Sequence, residues 1–237
     1  MNSNQIIESL YLTYPGNISN SQFSFSQKIK YFFKTYLITL ALIFCVGIII
    51  FIIDFLVKKY FGFSIQSRDS IYKNKINGIF KNVLALSVIT PFFEEIIFRL
   101  WLNLNTTNIA VSIAVICTRL VYIKVHLLDI SHWSVVIQRI AVFIFIFLIV
   151  HYLLSKKKFT ARLSTKRFLF YLSAIVFGLG HMTNYPFIHS WALFFYPLYT
   201  LPQIIMGLTI SNIRLKQGFG WGWLLHALIN LPTALFI

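Results

Sequence analysis

Two adjacent glutamates, Glu94 and Glu95, and an arginine, Arg99, stand inside residues 82–101, NVLALSVITPFFEEIIFRLW, a run that is otherwise uncharged and mostly apolar. About 20 mostly apolar residues suffice to cross a bilayer, and an ionised side chain near the centre costs about 2.5–3.5 kcal/mol on insertion scales. Three such charges require compensation. Residues four apart share a helical face, so Glu95 and Arg99 can pair, whereas Glu94 is turned away by about 100°. One carboxylate is then structural and the other is left free. Two histidines extend the pattern: His181 closes FLFYLSAIVFGLGHM four residues after Phe177, and His226 lies four before Asn230 in WGWLLHALINLPTALFI. Burying imidazoles and an amide without partners costs about 1–3 kcal/mol each, so convergence of these groups on Glu94 would satisfy them together.

The chemistry of that set is hydrolysis. Desolvation raises a carboxylate's affinity for a proton, so Glu94 can take one from water while an imidazole orients the water from the other side. His226 and Asn230 can donate to the oxyanion formed when water attacks a peptide carbonyl, worth about 3–4 kcal/mol per well-placed donor. A divalent metal such as zinc, held by Glu94, His181 and His226, is the competing arrangement, because two histidines and a glutamate are a common catalytic zinc set. The H-E-x-x-H signature is absent, so spacing leaves the choice open. His126, His132, His151 and His189 fall near span ends or in short loops and are expected to be structural.

Composition defines the elements that must position these residues. The 237 residues are 58% hydrophobic and 11% charged, with a mean hydropathy of +0.76, where a soluble domain carries about 25% charged residues. The long continuous apolar blocks disfavour a β-barrel and predict an all-α, polytopic transmembrane bundle of about seven spans, with six to eight admitted. The spans are expected near residues 31–57, 82–101, 108–128, 135–154, 168–182, 191–213 and 221–237, with Pro91 kinking or restarting the second just ahead of Glu94 and freeing a backbone carbonyl. Asp54 is expected to pair with Lys58 one turn on. The mixed basic stretch 60–81 suits a helix lying on the membrane or a plain loop. Gly178 and Gly180 permit close helix contact or ligand approach beside His181. Residues 1–27 form a loose polar tail with no signal-peptide pattern, and 28–237 form one transmembrane domain. The net charge of +15 lies mostly in short runs between apolar blocks, where lipid headgroups explain it and nucleic acid does not; the balance of Lys and Arg weakly favours a cytoplasmic N-terminus. Cys45 and Cys117 sit within apolar runs as small hydrophobes.

The three motifs resemble one family. Glu94-Glu95-Ile96-Ile97-Phe98-Arg99 is similar to the EExxxR motif, Phe177 to His181 to the FxxxH motif, and His226 to Asn230 to the HxxxN motif of the CPBP (Abi) intramembrane proteases, which include the type II CAAX prenyl endopeptidases and bacterial homologues linked to bacteriocin immunity. Each motif is weak alone; all three in order, each in an apolar span, are strong, and the resemblance covers about residues 80–237. It implies that Glu94 is the general base acting with His181, that Glu95 and Arg99 are structural or orient substrate, and that His226 and Asn230 form the oxyanion site. It further implies a peptide or protein substrate, lipid-associated or exported, in a bacterial cell membrane, and leaves the metal question open. Leu100 departs from the family, many of whose members have Gly after the Arg, and crowds the neck of the helix. A non-catalytic immunity or scaffold protein that keeps the polar cluster is the alternative. A proton-coupled transporter is weaker, because no internal repeat is evident.

Overall fold

In a computed structural model the chain is described over residues 11–15, 24–65, 79–122, 133–156, 161–185 and 193–235. His126, His132, His189 and most of the 60–81 stretch lie outside the described residues. No strand occurs among the described residues, as the all-α expectation requires.

Helix α1 runs from Phe25 to Phe61, 37 residues or about 55 Å at 1.5 Å per residue. Ser24 and Gln27 start it with a reciprocal capping box, which satisfies two otherwise orphaned backbone donors. Gly62 ends it in the left-handed region at φ 78°, its N–H donating to the Lys58 carbonyl at 3.0 Å. Asp54 of α1 is buried, and it accepts from the Ser64 hydroxyl, the Ile65 N–H and the Tyr199 hydroxyl. The expected pairing with Lys58 does not form, because the chain returning after Gly62 reaches the carboxylate first.

Residues 82–101, expected as one kinked helix, are divided into four pieces: α2 (Ile79–Asn82), a π-helical segment (Val83–Ile89), α3 (Thr90–Phe98) and a 3₁₀ turn (Leu100–Asn103). Pro91 sits in the first turn of α3, where its missing N–H is tolerated. The π register carries the Thr90 N–H back five residues to the Ala85 carbonyl. Proline cannot continue that pattern to Leu86, and the Leu86 carbonyl instead takes the Asn230 side-chain amide at 3.3 Å. The freed carbonyl is real, and another helix has claimed it.

Helices α4 (Thr106–Val121), α5 (Trp133–Ser155), α6 (Leu163–Gly180), α7 (Tyr196–Tyr199), α8 (Leu201–Gln217) and α9 (Phe219–Leu235) complete the described fold, with a 3₁₀ turn at His181–Asn184. By length and composition, α1 and α5 are long and apolar enough to cross a membrane; the other helices run to 18 residues at most. Helix α8 is central, packed against α1, α6 and α9. A Cβ on Gly178 would lie 2.2 Å from Ile204 Cγ1, and one on Gly207 3.1 Å from the Ala174 backbone. Absent side chains therefore let α6 and α8 meet backbone to backbone. The loose tail expected for residues 1–27 does not describe residues 11–15: Tyr11 packs edge-on against Tyr31 at 4.9 Å, Tyr14 against Phe170 at 5.9 Å, and the Thr13 carbonyl accepts from Asn212 at 2.8 Å.

Candidate active site

The three motifs meet where α3, α6 and α9 close on α8. Glu95, Arg99 and His226 are each 0% exposed. Glu95 Oε1 accepts a charge-assisted bond from the Arg99 guanidinium one turn along and a second from His226 Nδ1 at 2.9 Å. Arg99 also donates from Nε to the Ser211 hydroxyl at 3.2 Å and lies 4.1 Å over the Phe177 ring. Phe177, itself fully buried, is a hub: its ring meets His181 at 4.6 Å, Phe98 at 5.4 Å and His226 at 5.5 Å. The structural carboxylate is therefore Glu95, held by Arg99 at the end of its own helix and by His226 of α9.

Glu94 faces the other way. Its side chain is 23% exposed and lines a cavity of about 620 Å³ together with His181, Asn230, Thr90, Gln203 and Met206, within the roughly 300–1,000 Å³ usual for ligand sites. Gly180 also lines it, and a Cβ there would meet only Phe98, at 3.9 Å. Of the two glycines beside His181, Gly178 thus serves helix contact and Gly180 the cavity wall.

Hydrogen bonding assigns the imidazole protons. His181, expected inside a helix, sits just past the end of α6, and its Nδ1 is 2.8 Å from the Phe177 carbonyl. A carbonyl only accepts, so Nδ1 carries a proton, and in the neutral ring Nε2 is then the acceptor. His226 Nδ1 likewise donates to Glu95, which leaves its buried Nε2 3.4 Å from Glu94 Oε2 without a hydrogen bond.

The chain matches no protein-family model, no curated protein and no solved structure.

Of the residues singled out in the sequence, Glu94, His181, Asn230 and Phe177 line the cavity, and Glu95, Arg99 and His226 form the layer behind it. His226 and Asn230, expected side by side as oxyanion donors, are split between the two layers. Asn230 spends one amide N–H on Leu86 and retains a second. The ligands expected for a metal do not gather either: both nitrogens of His226 face glutamates, and Nδ1 of His181 is taken by Phe177. Among the described residues no group of three or more His, Cys, Asp or Glu side chains is placed to hold a metal ion, so the set as arranged does not fit one.

Sequence reasoning missed Gln203, Ser211 and Arg214. Arg214, 5% exposed, donates to the Leu100 carbonyl at 2.7 Å and so satisfies the backbone where α3 breaks off. The polar cluster Ser211, Asn212 and Arg214 in LTISNIRLKQ was a usable signal, since charges within apolar segments seek partners. The expected span end at residue 213 left Arg214 just outside the span. Away from the site, His151 rests beside Phe147 at 5.4 Å and within 3.4 Å of the Thr107 hydroxyl. Cys45 and Cys117 are free thiols.

Proposed function

We propose that the protein is a multi-pass bacterial membrane protein of about seven spans that hydrolyses a peptide bond by the chemistry of a CPBP-type intramembrane endopeptidase. The observation that carries this reading is the division of labour between adjacent glutamates: Glu95 is sealed in with Arg99 and His226, while Glu94 reaches a cavity shared with an imidazole and an amide. Membrane insertion draws support from α5, an apolar helix of 23 residues none of which is buried against the rest of the chain, a surface that suits lipid.

In the proposed step a water sits between Glu94 and His181, donating one hydrogen bond to the His181 Nε2 lone pair. Glu94 removes the other proton as the water oxygen bonds to the substrate carbonyl carbon, and the carbonyl π electrons move onto oxygen. The second N–H of Asn230 donates to that oxyanion. Collapse breaks the C–N bond, and Glu94 returns the proton to the departing amine. His226 stands behind Glu94, 3.4 Å from its Oε2, and positions it. Glu95 and Arg99 position His226. Protein or peptide segments within or beside the bilayer are the substrate class.

The test uses full-length protein in lipid nanodiscs and a pool of internally quenched apolar peptides. Glu94→Gln and His181→Ala are each expected to lose at least about 100-fold in kcat/KM. Unchanged cleavage by either variant, or no cleavage of any peptide by the wild type, would sink the assignment; a wild type that binds peptide without turnover, matched by Glu94→Gln, would favour the scaffold alternative.

A further inference from the structure

Resting on the peptide-hydrolysis reading, the geometry points to the Thr90 hydroxyl as the second donor to the oxyanion, beside Asn230. The site needs one. His226, expected to share that role, lies behind the wall with both ring nitrogens turned toward glutamates, and each missing oxyanion donor typically costs about 100-fold or more in rate.

The placing of Thr90 follows from the chain. Leu86, Thr90 and Glu94, spaced at four residues, all line the cavity, so one face of this segment supplies the base and, a turn before it, a hydroxyl. A helical side chain leans toward the N-terminus, which brings a threonine hydroxyl over the carbonyl four residues earlier. Thr35, Thr39 and Thr209 bond theirs in that way, at 2.8, 2.7 and 3.3 Å. For Thr90 the corresponding carbonyl is that of Leu86, which the Asn230 amide holds at 3.3 Å. The hydroxyl and the amide are thereby gathered at one carbonyl. Among the described residues the Thr90 hydroxyl bonds nothing, yet it is not one of the buried polar atoms left without a partner, so on this half-buried residue it keeps accessible surface. An O–H on the cavity wall with no internal acceptor is available to a ligand oxygen.

The rest of the wall offers little in its place. Thr183 spends its O–H on the Gly180 carbonyl at 3.0 Å, and Asn184 and Thr233 are exposed. His181 faces the cavity with an acceptor, and Gln203 belongs to α8, which carries neither Glu94 nor Asn230. No Lys or Arg lines the cavity among the described residues, so a developing negative charge has to be met by neutral dipoles. In the step, the carbonyl π pair moves onto oxygen as the water oxygen bonds to carbon and Glu94 takes the water's proton. The Thr90 O–H and the second Asn230 N–H donate to that oxygen. When the C–N bond breaks the pair returns, and Thr90 keeps its proton throughout.

The experiment uses full-length protein in lipid nanodiscs and the best-cleaved quenched peptide, in its ordinary form and with sulfur replacing the scissile carbonyl oxygen. Wild type, Thr90→Val and Thr90→Ser are compared. Thr90→Val, nearly the same in shape, is expected to lose about 100-fold in kcat with KM within about twofold, the signature of a contact made only in the transition state, and to melt within a degree or two of the wild type. Thr90→Ser keeps the hydroxyl and is expected to stay within about fivefold of the wild type. Sulfur accepts hydrogen bonds poorly, so the oxygen-to-sulfur penalty is expected to shrink at least about tenfold in Thr90→Val, a coupling that places the hydroxyl at the reacting oxygen. The inference is overturned if Thr90→Val cleaves as the wild type does, if its loss lies in KM, if Thr90→Ser is as impaired as Thr90→Val, or if the sulfur penalty is the same with and without the hydroxyl. The two readings fail in different ways. A wild type that cleaves no peptide sinks the hydrolase assignment and this inference with it, whereas cleavage abolished by Glu94→Gln but indifferent to Thr90→Val sinks this inference alone.

Discussion

Replacing Arg99 by Met tests whether the sealed ionic layer is what keeps Glu95 where it is. Arg99 and Glu95 are both 0% exposed, and the guanidinium also bonds Ser211 at 3.2 Å and covers Phe177 at 4.1 Å. Arg99→Met keeps the apolar stem but leaves Glu95 charged, buried and short of its counter-ion. Breaking one side of a buried pair costs about 3–5 kcal/mol, whereas replacing both sides is far less costly. Glu95→Gln is the suitable partner change, because the Gln carbonyl still accepts from His226 Nδ1. The double variant Glu95→Gln/Arg99→Met is therefore expected to lose only about 1–2 kcal/mol, and the two changes are expected to couple by about 2 kcal/mol or more. Unfolding in mixed micelles, followed by tryptophan fluorescence and circular dichroism across a denaturant series, supplies the four corners of the cycle. The reasoning fails if Arg99→Met costs less than about 1 kcal/mol, the scale of an ordinary substitution, or if the double variant loses the sum of the singles.

Two further outcomes follow from the same contacts. Gly178→Ala drives a methyl to 2.2 Å from Ile204 Cγ1 and 3.0 Å from its backbone nitrogen, and is expected to cost about 1–3 kcal/mol by overpacking, whereas Gly180→Ala, facing only Phe98 at 3.9 Å, should melt within a degree or two of the wild type; equal melting points would contradict the backbone contact between α6 and α8. Asn230→Leu strands the Leu86 carbonyl and is expected to cost about 1–3 kcal/mol, part of which Pro91→Ala should restore in the double variant by supplying a backbone N–H; a purely additive pair in the same unfolding assay would refute the role given to Pro91.

Much of this site was legible because it depends on local periodicity. Four-residue spacing alone pairs Glu95 with Arg99 and places His181 over Phe177, since both contacts form within one turn of the chain. Proline chemistry foretold an unpaired carbonyl near the second span. Other features needed partners distant in sequence. The expected Asp54–Lys58 pair was locally sound, yet Ser64, Ile65 and Tyr199 take the carboxylate. Residues 11–15 looked like part of a loose polar tail, but Asn212, Tyr31 and Phe170 hold them.

From the sequence by itself come the helical class, the apolar character of the helices, the motif residues and the separation of two glutamate faces by a single residue step. Tertiary structure alone decided which glutamate face looks onto a cavity and which is sealed. It also placed His226 behind the wall while Asn230, one turn later, lines it, and it brought Arg214 to Leu100 and Gln203 to the cavity. The physical reason is that a helical wheel gives angles only relative to its own axis. The π-helical segment at Val83–Ile89 resets that angle just ahead of Glu94, and the close approach of α6 to α8 at Gly178 sets which sides of the remaining helices face inward.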